Sequence, residues 1–164
     1  MKTHILFFFT LIFICCSSCS HIGPGEHGFL AFENNSSITI YVDYTNLYGT
    51  QHPSKRVLGI PKESCEIAPG STNYEAICYS SCGVPYSIED VLSEPGSTTF
   101  VYVVPFYPDE EHPITQPLYY YKLVCYELTL EDLQALDFHL YYPPNEKMAN
   151  IPMDPPYKTF VTEP

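Results

Sequence analysis

Hydrophobic and polar residues alternate in short runs along most of this chain, a pattern that predicts β-strands. The run 37–43 alternates strictly, so its isoleucine and valine side chains fall on one face of a half-buried strand. The apolar run 29–32 comes just before it, and the Asn and Ser residues between the two supply turn chemistry, which predicts a hairpin. The runs 65–67 and 74–78, separated by Pro69-Gly70, predict a second hairpin.

Three further runs are rich in β-branched and aromatic residues. Residues 98–104 are apolar on both faces, which is typical of a central strand, and the runs 119–126 and 138–142 follow the same logic. About six strands with short connections predict a mainly β fold, either an antiparallel β-sandwich or a partly open barrel.

Two short segments carry helix-start signals. Thr129 can cap a helix with Asp132 at the capping-box position, and Ser87 with Asp90 repeats this arrangement. Each helix has only about two turns and therefore needs packing on the sheet to be stable. Helix polarity explains the acidic first turns, so these carboxylates need no catalytic role.

The last 22 residues, 143–164, are rich in proline, including Pro143-Pro144 and Pro155-Pro156. Such a stretch cannot form a central strand or a helix, and we expect an extended tail beyond a β-rich domain of residues 29–142. Its apolar side chains either lie along the surface of the domain or form a docking strip for a partner.

The N-terminus has the layout of a secretory signal. Lys2 precedes an apolar run, 5–16, that is too short to span about 30 Å of hydrocarbon, a distance that takes roughly 20 residues. Cys19 follows two serines, as in a bacterial lipobox, which predicts a signal peptide of residues 1–18 and a lipid anchor on Cys19. The alternative is ordinary signal-peptidase cleavage nearby, giving a freely secreted protein. Residues 19–28 are rich in glycine and predict a flexible tether.

The formal net charge is −12, and removal of Lys2 with the signal makes it one unit more negative. With no basic cluster, the chain has nothing to neutralise phosphates, which argues against nucleic-acid and anionic-lipid binding. Membrane contact is then expected through the anchor alone.

Four cysteines lie in the predicted domain beyond Cys19: Cys65, Cys78, Cys82 and Cys125. An even number in an exported domain favours two disulfides, for which three connectivities exist. Buried free thiols and a structural zinc site are the alternatives, although the spacings lack paired Cys-x-x-Cys knuckles.

The segment Tyr126-Glu127-Leu128-Thr129-Leu130-Glu131-Asp132-Leu133, followed by a strand ending in Tyr141-Tyr142-Pro143, resembles the closing Tyr-x-Leu-Thr-x-x-Asp-Leu module of small uncharacterised lipoproteins of Gram-negative anaerobes. The phrases Phe32-Glu33-Asn34-Asn35-Ser36 and Ile67-Ala68-Pro69-Gly70-Ser71 are also similar to theirs. Members often have Trp where this chain has Phe138. The resemblance implies an envelope location and a compact β-rich domain, and it transfers no site residues.

Motifs of known catalytic chemistry are absent from the sequence: it has no nucleophile elbow, no His-Glu-x-x-His, no phosphate-binding glycine loop and no dinucleotide fingerprint. We therefore expect no enzyme activity and no cofactor. His139 falls between two core positions and is expected to point outward. The cluster 109–112, Asp-Glu-Glu-His, offers oxygen ligands for Ca²⁺ but lacks the spacing of an EF-hand loop, which favours a solvated loop tip and no metal.

Fifteen tyrosines and the absence of tryptophan leave two interpretations of the aromatic content. Half-buried strands use tyrosine structurally, but exposed tyrosines can also stack on sugar rings. The candidates for a ligand-facing aromatic surface lie in apparent loops or strand ends: Tyr44, Tyr48, Tyr107 and Tyr157.

Taken together, these patterns predict a lipoprotein of the outer membrane with a non-catalytic binding or structural role. No acidic residue follows Cys19 directly, which favours the periplasmic side. An accessory subunit of an envelope assembly is the first hypothesis, a glycan-binding module the second, and a hydrolase a distant third.

Overall fold

Two β-sheets form the larger part of the structure, a computed structural model that describes residues 25–47, 66–78, 80–81, 84–105 and 122–161. The strands are β1 (Phe29–Asn34), β2 (Ile40–Leu47), β3 (Glu66–Ile67), β4 (Ser71–Cys78), β5 (Ser80–Ser81), β6 (Val84–Pro85), β7 (Thr98–Val104), β8 (Val124–Leu128), β9 (His139–Tyr142) and β10 (Met153–Asp154). The helices are α1 (Ile88–Val91) and α2 (Leu130–Ala135), with 3-10 turns at Glu146–Met148 and Tyr157–Thr159. None of the helices in these ranges is long and apolar enough to cross a membrane.

The larger sheet has the order β10-β8-β7-β2-β3 and the smaller one the order β4-β1-β9, while β5 and β6 pair separately. The prediction of a mainly β, sandwich-like fold with two short helices is confirmed. The arrangement is not wholly antiparallel, because β1 pairs with β9 in parallel, Ala31 opposite His139. The two sheets hold eight strands rather than about six.

Both predicted hairpins are wrong. β1 and β2 lie in different sheets, and so do β3 and β4. The turns between them carry the chain from one sheet to the other instead of folding it back on its neighbour.

The side chain of Asn34 holds these two crossings together. It is fully buried, and its amide nitrogen donates to the carbonyls of Ile38 (2.7 Å) and Ile67 (2.9 Å). Its Oδ1 accepts from the backbone and the hydroxyl of Ser36, and its own carbonyl accepts from the backbone N–H of Gly70 at 2.8 Å. The backbone of one buried residue and its amide thereby fix both corners of the sandwich.

The main core lies between the facing surfaces of the two sheets, and α2 adds Leu133 to it. Two tyrosine hydroxyls also join the sheets. Tyr126 on β8 donates to the carbonyl of Tyr141 on β9 at 2.8 Å, and Tyr44 on β2 donates to the carbonyl of Cys78 on β4.

The prediction that 98–104 is a central strand is confirmed, since β7 lies in the middle of the larger sheet and six of its seven residues are buried.

A second apolar cluster lies on the opposite face of the larger sheet. It consists of Phe100, Tyr102, Val104 and Cys125, with Tyr41 partly buried beside them. Because these residues alternate with core residues along β7 and β8, the larger sheet is buried on both faces at its centre.

The disulfide prediction is wrong for Cys125, and the described residues contain no disulfide. Cys78 belongs to the smaller sheet, while Cys125 lies on the far face of the larger one, so the sandwich core separates the two. Burial raises the pKa of the Cys125 thiol to about 12, which keeps it neutral at pH 7. Cys65 and Cys82 lie outside the described residues, as do Cys19 and the signal segment.

Both helix caps are confirmed. Thr129 and Asp132 form the complete capping box of α2, in which Asp132 accepts from the Thr129 backbone at 2.9 Å. Ser87 accepts from the backbone N–H of Asp90 at 3.0 Å at the start of α1.

The C-terminal segment differs from the predicted extended tail. Met148 is fully buried in the main core and Ile151 is nearly so, while β10 pairs with β8 as an edge strand. Proline excludes central strands and long helices, but it permits an edge strand and 3-10 turns, and the segment is built from these. It is therefore part of the folded domain up to Val161, the last described residue.

Candidate functional site: a groove beside Tyr74

The most exposed large hydrophobic side chain of the described residues is Tyr74 on β4, with 72% of its surface accessible. Every other exposed large hydrophobic side chain in these ranges is below 50%. A tyrosine ring left in water at the edge of a sheet brings no folding benefit from burial. It is the first side chain to consider as a contact for a ligand.

A β-bulge determines where Tyr74 points. β1 and β4 are in register at Leu30 opposite Ile77 and again at Phe32 opposite Asn73, so three residues of β4 face one residue of β1. Asn73 Oδ1 accepts from the backbone N–H of Glu75 at 2.9 Å and holds the extra residues in a turn. Bulges on edge strands redirect side chains in this way. Here the bulge leaves both Tyr74 and Glu75 exposed.

The bulge forms one wall of an open groove of about 680 Å³. β3 forms the edge of the larger sheet and β4 the edge of the smaller one, so the groove lies where the two sheets part. It is lined by Glu66, Ile67, Ala68, Ser71, Thr72, Asn73, Tyr74 and Glu75.

The groove combines one aromatic ring with several oxygen acceptors. The hydroxyl of Ser71 already donates to the Ala68 carbonyl at 2.7 Å and stabilises the turn. Glu66 on β3 and Glu75 on β4 are exposed residues that line the groove with their carboxylates. A ring face beside carboxylates suits a polar ligand with apolar faces, which the groove can hold by stacking and by accepted hydrogen bonds.

A second, smaller groove of about 310 Å³ lies between the residues that follow α1 and the start of α2. Thr129, one of its lining residues, has its hydroxyl engaged in the capping box. The described part of this groove presents no aromatic ring.

Comparison of the chain with protein-family models, with curated proteins and with solved structures finds no match. Inference about function therefore depends on the chemistry of the side chains themselves.

The sequence-predicted aromatic residues do not form the groove. Tyr44 is partly buried and uses its hydroxyl to join the two sheets, so its prediction as a ligand-facing residue is wrong. Tyr157 is half-buried in a 3-10 turn and does not line the groove. Tyr48, Tyr107 and the acidic cluster 109–112 lie outside the described residues.

The sequence holds a signal for the local turn beside Tyr74, although not for the groove itself. Asn73 lies within β4, and Asn side chains readily bond to the backbone two residues on. Among the described residues no group of three or more His, Cys, Asp or Glu side chains could hold a metal ion.

At the other end of β1, the last residues of the predicted tether are fixed to α1. His27 Nδ1 lies 2.7 Å from Glu89 Oε1, and the His27 backbone N–H donates to Glu89 Oε2 at 3.0 Å. The His27 ring also stacks on Phe138 with a centroid distance of 3.6 Å. Burial raises the pKa of Glu89, but the hydrogen bonds from His27 outweigh it and leave this pKa below its ordinary value. We call this arrangement of His27, Glu89 and Phe138 the clamp.

His139 has its predicted outward position on the smaller sheet. It stacks in parallel on Tyr141, and its Nε2 lies 3.4 Å from a carboxylate oxygen of Glu33 on the neighbouring strand. Leu140, between the two aromatic residues, is fully buried.

Proposed function

We propose that this protein is a lipid-anchored component of the cell envelope that binds a glycan without catalysis, through the groove beside Tyr74. The observation that carries the proposal is the exposed ring of Tyr74, which lies on a bulge and lines the same groove as the carboxylates of Glu66 and Glu75. Aromatic rings stack on the apolar faces of sugars, and carboxylates accept hydrogen bonds from their hydroxyls.

The bulge also argues against the other binding mode of an edge strand. A partner that adds a strand needs a flat, regular row of backbone groups, and bulges interrupt such a row. Recognition at this edge is therefore better suited to side-chain contacts. An accessory subunit of an envelope assembly remains the alternative role.

The clamp and the groove lie at opposite ends of β1, and the predicted anchor precedes the clamp in the sequence. Seven residues lie between Cys19 and His27 in the clamp, and a fully extended chain between the two positions reaches at most about 29 Å. β1 then leads from Phe29, near the clamp, to Asn34, opposite Ser71 in the groove. A protein anchored at Cys19 would hold the clamp near the membrane and present the groove away from it.

The proposal is tested with the full chain in detergent, by titration with soluble oligosaccharides. We expect Tyr74→Ala to weaken glycan binding about tenfold or more, since stacking contributes an energy of this order. Tyr86→Ala is the matched control, because Tyr86 is an exposed tyrosine outside the groove.

Equal binding by the wild-type protein and the Tyr74→Ala variant would exclude the groove as the glycan site. Binding of no oligosaccharide, together with co-purification of a stoichiometric envelope protein, would support the accessory-subunit role. The anchor is tested separately, since Cys19→Ser should release the protein from the membrane fraction.

A further inference from the structure

We infer that the groove beside Tyr74 selects saccharides that are uncharged or carry amino groups, and rejects saccharides that carry carboxylate or sulfate groups. The inference depends on the proposed glycan-binding function and specifies the chemical class of the ligand. It comes from the distribution of charge around the Tyr74 ring.

Among the described residues that line the groove, the charged side chains are Glu66 and Glu75. They belong to different sheets, through β3 and β4, so a sugar bound in the groove lies near carboxylates from both sheets. A carboxylate accepts hydrogen bonds but cannot donate them at neutral pH, so it pairs with hydroxyl and ammonium groups and repels other anions.

No lysine or arginine stands among the described residues that line the groove to offset this negative charge. Lys122 forms an ion pair with Asp154 at 2.9 Å, and Asp154 lies on β10. β10 and β3 are the opposite edges of the five-stranded sheet, so about 19 Å of sheet separates the ion pair from the groove. This distance exceeds the screening length of about 10 Å at 0.1 M salt.

The charge of the whole chain acts in the same direction. A net charge of −12 repels polyanionic sugars on approach and attracts cationic ones. An ammonium group on the sugar would form charge-assisted hydrogen bonds, which are about twice as strong as neutral ones. We therefore expect an amino sugar to bind more tightly than its acetylated form, and the difference to shrink at high salt.

Three soluble tetrasaccharides test this order: glucosamine, N-acetylglucosamine and galacturonate oligomers, each titrated calorimetrically into the full chain in detergent. The expected order of affinity is glucosamine, then N-acetylglucosamine, with no measurable binding of galacturonate. Glu75→Gln should reduce the affinity for the glucosamine oligomer about tenfold, the effect of losing one charge-assisted bond, and should leave the N-acetylglucosamine oligomer within about threefold.

Glu127→Gln is the matched control, because Glu127 is an exposed carboxylate on β8 outside the groove, and it should change neither affinity. Binding of galacturonate as tightly as glucosamine would overturn the charge selection while leaving glycan binding intact. If Tyr74→Ala left binding of the glucosamine oligomer unchanged, the inference would be overturned, because the oligomer would then bind elsewhere on the acidic surface. Failure of all three oligomers to bind would overturn the proposed function itself.

Discussion

At the scale of single residues, a few polar side chains stabilise this sandwich by hydrogen bonds that join its two sheets. Asn34 is the clearest case, since its buried amide satisfies the backbone on both sides of the crossing between sheets. Tyr44 and Tyr126 act similarly, because each hydroxyl reaches a carbonyl of the facing sheet. The tyrosine-rich composition thus has a structural use in addition to the exposed ring of Tyr74.

Asn34→Ala should destabilise the protein by about 2–4 kcal/mol, because it removes the hydrogen bonds to the carbonyls of Ile38 and Ile67 and leaves the buried Ile67 carbonyl without this donor. The free energy of unfolding, measured by urea titration, checks this value. Asn35→Ala is the matched control: Asn35 is exposed and bonds to the Tyr142 carbonyl through its backbone N–H, which the substitution retains. An Asn34→Ala variant as stable as the control would show that the crossing does not need the amide.

Residue types alone could not have located the groove beside Tyr74. Tyr44 and Tyr74 both stand in polar surroundings in the sequence, yet one is held against the core and the other projects into water. The difference arises from the two extra residues in β4, a feature of the register between strands. Register depends on which strands pair, and the sequence pattern does not contain that information for distant partners.

At the scale of elements, alternation and capping signals predicted β1, β2, β7, α1 and α2 close to their observed positions. These signals are local, so no knowledge of tertiary structure is needed to interpret them. The pairing of the strands is predicted poorly, because strands that are neighbours in sequence do not form hairpins in this fold. The sequence pattern assigns Asn34 to a turn, whereas in the structure its side chain stabilises the crossing from one sheet to the other.

At this scale, we expect the C-terminal segment to contribute to the stability of the folded domain. Met148 is fully buried in the main core, so Met148→Ala should lower the free energy of unfolding by about 2–5 kcal/mol. The neighbouring Lys147→Ala is the control, since Lys147 is exposed in the same 3-10 turn. Thermal and urea unfolding of both variants provide the comparison. A small effect of Met148→Ala, equal to that of Lys147→Ala, would mean that the segment is an appendage after all.

At the scale of the whole molecule, the clamp makes stability depend on pH in the acid range. The pKa of Glu89 is lower in the folded protein than its ordinary value, so its ionised form stabilises the fold above about pH 4.3, the pKa of an unperturbed glutamate. This contribution is lost as the pH falls through the lowered pKa. Glu89→Gln should remove it and flatten the decline of stability between pH 5 and pH 3 (roughly the range of glutamate titration).

Glu131→Gln is the matched control for this experiment. Glu131 is the second residue of α2 as Glu89 is the second residue of α1, so both carboxylates sit in the same place relative to the helix N-terminus. Urea titrations of both variants from pH 6 to pH 3 give the comparison. An equal flattening in the two variants would assign the effect to helix polarity and exclude a special role for the bond to His27.

The position of β1 in the smaller sheet has a consequence for folding. β1 is the first described strand and the central strand of its sheet, yet one of its two neighbours, β9, lies more than 100 residues further along the sequence, Ala31 opposite His139. Pairing over such a sequence separation makes folding slow, because the intervening chain must be ordered before the contact is gained. The smaller sheet therefore cannot close until β9 is available, so β1 acquires its second neighbour late in folding.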